Sequence, residues 1–237
     1  MEMGSGLGRP PFTNVVQTSD MIQDIILDKF LEWTSGLKPR QCRIEIFEHI
    51  RDIPFGLIPE LVDPEELPVY ILTHERGSCS PKHFLLGIMY EKLHIPIKYA
   101  TYPFYWNDQD IKLPKKLSKM AEQMPLQYHV ACKGYINQKW ILLDATYDPP
   151  LKKVGFPINE TWDGMSETLN AVKPLDEIVH KNVKELIEYM RIKTAHFTDT
   201  EDSLSQNFYH ELGKWLEDVR TEERVEERDV RKNESNL

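Results

Sequence analysis

Three residues of this 237-residue chain could together perform nucleophilic chemistry: Cys79, His129 and Asp144. A cysteine nucleophile needs a neighbouring base that holds it as a thiolate and later protonates a leaving amine. That base in turn needs a carboxylate or amide that orients it. The three residue types fit these roles, and the question is whether the elements that carry them bring them together.

Cys79 lies in the segment Gly77-Ser78-Cys79-Ser80-Pro81, where we predict the start of a helix. Pro81 suits a first helical turn, because its φ is fixed and its missing N–H would be unbonded there. We expect Cys79 just outside that turn, where unpaired N–H groups and the helix dipole favour a thiolate, with Gly77 allowing a sharp turn into the helix. On this segment alone, a buried structural cysteine is an equally good interpretation. The helix is predicted from apolar residues that form one stripe: Phe84, Leu85, Ile88 and Met89.

Residues 127–146 predict two strands joined around Asn137-Gln138, and the simplest connection is a two-residue loop. Such a loop places Tyr135 opposite Trp140. It also places His129 on the same face as Asp144, one diagonal step away and about 7–8 Å between backbones. A loop of odd length would separate the two side chains, because neighbouring residues of a strand point to opposite faces.

The remaining elements should surround this helix and hairpin. We expect a disordered N-terminus at residues 1–18, one domain over residues 19–220 and a charged tail over residues 221–237. Helical periodicity and capping residues predict four further helices, at 19–36, 41–51, 174–190 and 203–220. A strand is expected at 97–102, with loops at 57–67 and 103–125 and an irregular surface segment at 151–173.

Composition excludes several classes of protein. The formal net charge is -9 with a pI near 5.4, which argues against a general nucleic-acid or anionic-membrane surface. No apolar run is long enough to cross a bilayer, and no signal peptide is visible. Three cysteines without a secretion signal indicate reduced thiols, so we expect a cytoplasmic protein.

The chain resembles the transglutaminase-like superfamily over residues of about 40–150. The first half of the resemblance is a Gly-x-Cys segment, a Leu-rich helix and an Ile-Pro before a strand. The second half is a His strand followed by a Trp-x-x-x-Asp-x-Thr strand. The matching segments are 46–55, Gly77-Ser78-Cys79, His94-Ile95-Pro96, His129-Val130-Ala131, Trp140 and Leu143-Asp144-Ala145-Thr146.

The resemblance implies an α+β fold with a papain-like core, in which the helix bearing the cysteine packs on an antiparallel sheet between flanking N- and C-terminal helices. It implies that Cys79 is the nucleophile, His129 the general base and acid, and Asp144 the orienting residue. The expected function is thiol-dependent acyl chemistry on an amide bond of a peptide or protein, by hydrolysis or transfer through a Cys79 thioester, without a cofactor. The alternative is a non-catalytic protein-binding module with the same fold.

Two departures from the family pattern bear on the substrate. Members often carry an acidic residue just after the cysteine, where this chain has Ser80-Pro81-Lys82. His94 replaces the usual glycine before Ile95-Pro96. Neither change touches the three candidate residues.

A zinc site is the competing interpretation of the same cysteines and histidines. Cys79-x-x-x-His83 and His129-x-x-Cys132 have tolerable ligand spacings, but His129 and Cys132 should point to opposite faces of their strand. We therefore expect no metal, and a core position for Cys42 and Cys132. His74 is a candidate second oxyanion donor beside the Cys79 N–H, with a solvated loop histidine as the alternative. The other histidines are expected at the surface or on helix flanks: His83, His94, His180 and His210.

Overall fold

A computed structural model describes residues 13–57, 64, 66–196 and 198–234, with side chains for 22–57, 64, 66–196 and 198–222. Seven α-helices, two short 3-10 helices (Trp106–Asp108 and Pro149–Val154) and four strands lie in these ranges. The helices are α1 (Thr13–Thr34), α2 (Pro39–Asp52), α3 (Leu67–His74), α4 (Cys79–Lys92), α5 (Lys115–Ala121), α6 (Val183–Thr194) and α7 (Asp199–Glu234). The strands are β1 (Ile97–Phe104), β2 (Gln127–Ile136), β3 (Lys139–Leu143) and β4 (Ile178–His180). No helix of these residues is both long enough and apolar enough to cross a membrane.

The four strands form one antiparallel sheet in the order β3-β2-β1-β4. The loop between β2 and β3 consists of Asn137 and Gln138, which have φ values of 51° and 64°. Two successive left-handed residues make the tight turn that matches the twist of a hairpin. The predicted register is confirmed, because Tyr135 pairs with Trp140.

The sheet is antiparallel and helices pack against both of its faces, so the fold is α+β as predicted. Neighbouring residues of β1 enter different cores: Tyr99 packs into the first and Ala100 into the second. The first core contains apolar residues of α2, α3 and α4, including Phe47 and Leu85. The second contains apolar residues of α5 and α7, including Phe208. Helix α4, which begins at the candidate nucleophile, contacts β1 and β2.

Several predicted elements differ from those observed. The N-terminal helix begins at Thr13, so residues 13–18 of the expected disordered segment are helical, while residues 1–12 lie outside the described residues. A helix over Leu67–His74 was not predicted. The helix predicted from residue 174 begins only at Val183, because residues 178–180 form edge strand β4 against β1. Helix α7 continues through the expected charged tail to Glu234.

The backbone at His94 adopts a conformation that glycine favours. His94 has a φ of 59°, in the left-handed region that glycine occupies without steric penalty. Its N–H bonds the Glu91 carbonyl, and the chain then turns into β1. His94 is exposed, as expected.

Candidate active site

The candidate nucleophile occupies the first position of α4. Ser78 is the N-cap and Cys79 the first helical residue, so Cys79 lies inside the first turn and not just outside it. The preceding backbone is held by a short parallel bridge, in which the Gly77 N–H bonds the Pro54 carbonyl at 3.1 Å. A Cβ on Gly77 would stand 2.8 Å from Ile71 Cγ2, so glycine is needed here for close packing. Gly77 is not among the residues with a positive φ, which corrects the expected reason for its presence.

The structure brings all three candidate residues together. His129 Nε2 lies 2.8 Å from Asp144 Oδ2, and both side chains are buried. The thiol of Cys79 interacts with the same imidazole, and since Nε2 faces Asp144, the nitrogen that faces Cys79 is Nδ1. Cys79 is half-buried, whereas Cys42 and Cys132 are buried as expected. The order Cys79, His129, Asp144 therefore forms one hydrogen-bonded chain that ends at a half-buried cysteine.

The electrostatics of the three groups favour an ion pair of thiolate and imidazolium. Burial raises the pKa of the Cys79 thiol, but the hydrogen bond and positive charge of His129 and the Val130 N–H lower it below its usual value. Burial lowers the pKa of His129, but attraction and hydrogen bonding from Asp144, together with Cys79, raise it to about 10. Burial raises the pKa of Asp144, but His129 outweighs this and holds it well below its usual range. At neutral pH the carboxylate and imidazolium are charged, and the thiolate is stabilised.

Asp144 is fixed by a set of donors that the sequence did not indicate. Its Oδ1 accepts bonds from the Thr146 N–H at 3.2 Å and the Thr146 hydroxyl at 2.6 Å. Its Oδ2 accepts a bond from the Ala171 N–H at 2.7 Å, and its own N–H donates to Thr168 Oγ1. Asn159 donates to its carbonyl oxygen. Three of these residues lie in the segment we expected to be an irregular surface loop, so that segment is part of the site.

His83 is wrongly predicted as a surface or helix-flank residue. It is completely buried one turn after Cys79, where Nδ1 donates to the Cys79 carbonyl at 2.8 Å and Nε2 accepts the Ala145 N–H at 3.1 Å. Burial lowers its pKa to about 4, although nearby Asp144 acts in the opposite direction. His83 is therefore neutral at pH 7, and its two bonds fix its tautomer. The spacing of four residues from Cys79 was the available signal, since it places both on one side of α4.

His180 is also buried, contrary to expectation. It ends β4, and its Nε2 lies 2.9 Å from Thr101 Oγ1 in β1. The remaining histidine of that group, His210, is exposed on α7 as expected.

An aromatic side chain covers the imidazole from β1. The ring of Tyr102 lies 6.0 Å from that of His129 at an interplanar angle of 28°. Its hydroxyl donates to Glu177 at 2.7 Å, which holds the ring in place. A stacked ring excludes water from one face of His129 and stabilises its cationic form.

The residues of the competing zinc site do not form one. Among the residues that the structure describes, no group of three or more possible ligands is placed to hold a metal ion. Both ring nitrogens of His83 are bonded to backbone, and the Cys132 thiol donates to the His83 carbonyl oxygen. His74 is solvent-exposed, which fits the alternative of a solvated histidine, and its ring stacks on Tyr70 with 3.9 Å between centroids.

Comparison with known proteins gives little information about what this site does. No family model and no curated protein matches the chain. A solved structure described as a "putative cysteine protease" from Cytophaga hutchinsonii is similar over 68% of this chain and 50% of its own, with 18% identity and a TM-score of 0.36. The chain thus spans half the length of the structure it matches. A superposition this loose carries no argument about function, which depends on the site itself.

Proposed function

We propose that this protein performs thiol-dependent acyl chemistry on the amide bond of a peptide or protein, through a thioester at Cys79. The observation that carries the proposal is the bonded chain from Cys79 through His129 to Asp144, with 2.8 Å between imidazole and carboxylate. The resemblance to the transglutaminase-like superfamily assigns the same three residues the same roles. It also supports a papain-like core for this α+β fold.

Each step of the reaction has a group that can perform it. The Cys79 thiolate attacks the amide carbon, and negative charge develops on the carbonyl oxygen. The first N–H groups of α4 have no acceptor within the helix and can donate to that oxygen. His129 then gives its proton from Nδ1 to the leaving amine as the C–N bond breaks, which leaves a thioester.

The second half-reaction regenerates the thiolate. His129, now neutral, takes a proton from an incoming water or amine, which attacks the thioester carbon. The C–S bond breaks, the acid or amide product leaves, and the thiolate–imidazolium pair of the resting protein is restored. Hydrolysis and acyl transfer therefore use the same residues and differ only in the molecule that attacks the thioester.

The experiment that tests the proposal measures alkylation of Cys79 by limiting iodoacetamide between pH 5 and 9, with peptide mapping of all three cysteines. We expect Cys79 to react first and to show a thiolate shoulder at low pH. Burial alone would also protect Cys42 and Cys132, so the pH profile is the decisive readout. The shoulder should disappear in His129→Ala and shrink in Asp144→Asn, which keeps the size of the side chain.

A peptide library with and without an added amine then identifies the substrate. The chemical step should slow by at least ~10²-fold in His129→Ala. If His129→Ala is alkylated with the wild-type pH profile, the triad assignment is wrong and a non-catalytic binding module takes its place.

A further inference from the structure

Lys82 is a buried lysine that the proposed reaction does not use. It lies on α4 three residues after Cys79, and none of its surface is exposed. Lysine is almost never fully buried unless its ammonium is paired. The chain therefore accommodates a charged group inside the fold, next to the candidate site.

The ammonium of Lys82 has an acceptor for each of its three donors. Nζ bonds the carbonyl oxygens of Arg51 at 2.9 Å, Ile53 at 2.8 Å and Thr146 at 2.7 Å. A charged amine satisfies all three carbonyls, whereas a neutral amine has only two N–H groups and leaves one of them unbonded. This arrangement of three acceptors thus favours the charged ammonium of Lys82 over the neutral amine.

The three acceptors belong to segments that meet at the site. Arg51 and Ile53 lie at the end of α2. Thr146 lies just after β3, and its N–H and hydroxyl both donate to Asp144 Oδ1. Lys82 therefore connects the helix that begins with Cys79 to the residue that holds the Asp144 carboxylate.

The charged and titratable groups around Lys82 come from several elements. The charged ones are Asp52 of α2, Arg220 of α7, and Asp144 and Asp148 after β3, and His83 of α4 is a neutral titratable neighbour. Burial lowers the pKa of Lys82 to about 7, while Asp148 and Asp52 act to raise it. The three carbonyl bonds act together with these carboxylates in favour of the ammonium.

We propose that Lys82 is a positioning residue, whose buried ammonium fixes the Cys79 helix against the turn at Thr146 and thereby aligns Asp144, His129 and Cys79. This inference rests on the proposed function. Lys82 touches none of the reacting atoms, and it acts through Thr146. Its contribution is the alignment of the proton-transfer chain, which a hydrophobic side chain of similar length cannot supply because it leaves three carbonyls without a donor.

The test compares wild type with Lys82→Met, Lys82→Arg and, as a matched control on the same helix, Lys92→Met. Two readouts are used: the pH profile of Cys79 alkylation, and the downfield NMR signal of the His129 Nε2 proton bonded to Asp144. Thermal unfolding shows which variants are folded at 25 °C. We expect Lys82→Met to lose the downfield signal and at least about tenfold in alkylation rate at pH 6. Lys82→Arg, which keeps charge and donors, should retain both, and Lys92→Met should match wild type.

The outcomes separate this inference from the proposed function. Wild type without a low-pH alkylation shoulder defeats the proposed function, whatever the Lys82 variants do. A folded Lys82→Met with the wild-type shoulder and His129 signal overturns only the role of Lys82. If Lys82→Met does not fold, Lys82→Gln replaces it, because an uncharged glutamine amide can donate to at most two of the three carbonyls and should also lose the shoulder and the His129 signal. A folded Lys82→Gln with the wild-type shoulder and His129 signal also overturns the inference.

Discussion

Acid should destabilise this protein in part through His83, which the folded chain keeps neutral. Its ring is completely buried between the Cys79 carbonyl and the Ala145 N–H, and burial lowers its pKa to about 4. In the unfolded chain the pKa returns to about 6.5. Between these values the unfolded chain binds a proton that the folded chain does not, so the free energy of unfolding falls as pH decreases.

The size of this effect follows from the two pKa values. Their difference corresponds to about 3 kcal/mol in the free energy of unfolding. This stabilisation is present above pH 6.5 and is lost as the pH falls to about 4. His129 does not contribute over this range, because its pKa is raised and its stabilisation is complete below pH 6.5. Asp144, with a pKa held well below its usual range, loses its contribution only in stronger acid.

The assay is urea unfolding of wild type and His83→Gln at a series of pH values from 7 to 4.5. Glutamine offers a donor and an acceptor but does not titrate, so its variant should lose about 2–3 kcal/mol less than wild type over this range. His210→Gln, at an exposed position of α7, should run parallel to wild type. Parallel curves for wild type and His83→Gln would refute the reasoning, because they would show that His83 takes no proton on unfolding.

Three further substitutions test the packing that supports the site. Arg220→Met should lower the free energy of unfolding by roughly 3–5 kcal/mol, because it leaves the buried Asp148 carboxylate without the guanidinium that binds both its oxygens. Trp140→Ala should cost only about 1–2 kcal/mol, because the ring is half-buried beside an exposed Tyr135. Gly87→Ala should cost about 1–3 kcal/mol, since its Cβ would lie 2.2 Å from the hydroxyl of a buried tyrosine in β1. Urea unfolding at pH 7 measures all three.

Two matched control substitutions measure the same chemical changes at sites that lack a buried ion pair or a close contact. Arg191→Met removes an exposed ion pair on α6 and should change stability by less than about 1 kcal/mol. Gly213→Ala places a methyl group where nothing lies within 4 Å in α7, so it should stabilise the protein by up to about 1 kcal/mol. If Gly87→Ala and Gly213→Ala change the free energy of unfolding equally, the close packing described for α4 is wrong. If Arg220→Met lowers it no more than Arg191→Met does, Arg220 and Asp148 do not form a stabilising buried ion pair.

Much of the site could be predicted because its determinants are local. The two left-handed residues of the 137–138 turn fix the register of the hairpin, and the register fixes which face His129 and Asp144 share. Pro81 and the apolar stripe place Cys79 at a helix start, which the structure confirms to within one position. Turn geometry and helix periodicity depend on neighbouring residues, so the sequence alone carries this information.

The remaining features of the fold and of the candidate site depend on tertiary contacts. The residues 178–180 suit a helix by pattern but form a strand, because the edge of β1 offers unbonded backbone groups. Two of the donors that fix Asp144, Asn159 and Ala171, lie 15 and 27 positions later, and nothing in that segment's composition marks them. The roles of Lys82 and His83 depend on carbonyls and an N–H of segments distant in the chain. Helix periodicity and turn geometry indicated which elements carry the candidate nucleophile, base and orienting carboxylate, while the groups that hold these three residues in place depend on long-range hydrogen bonds of the buried backbone, which no local pattern encodes.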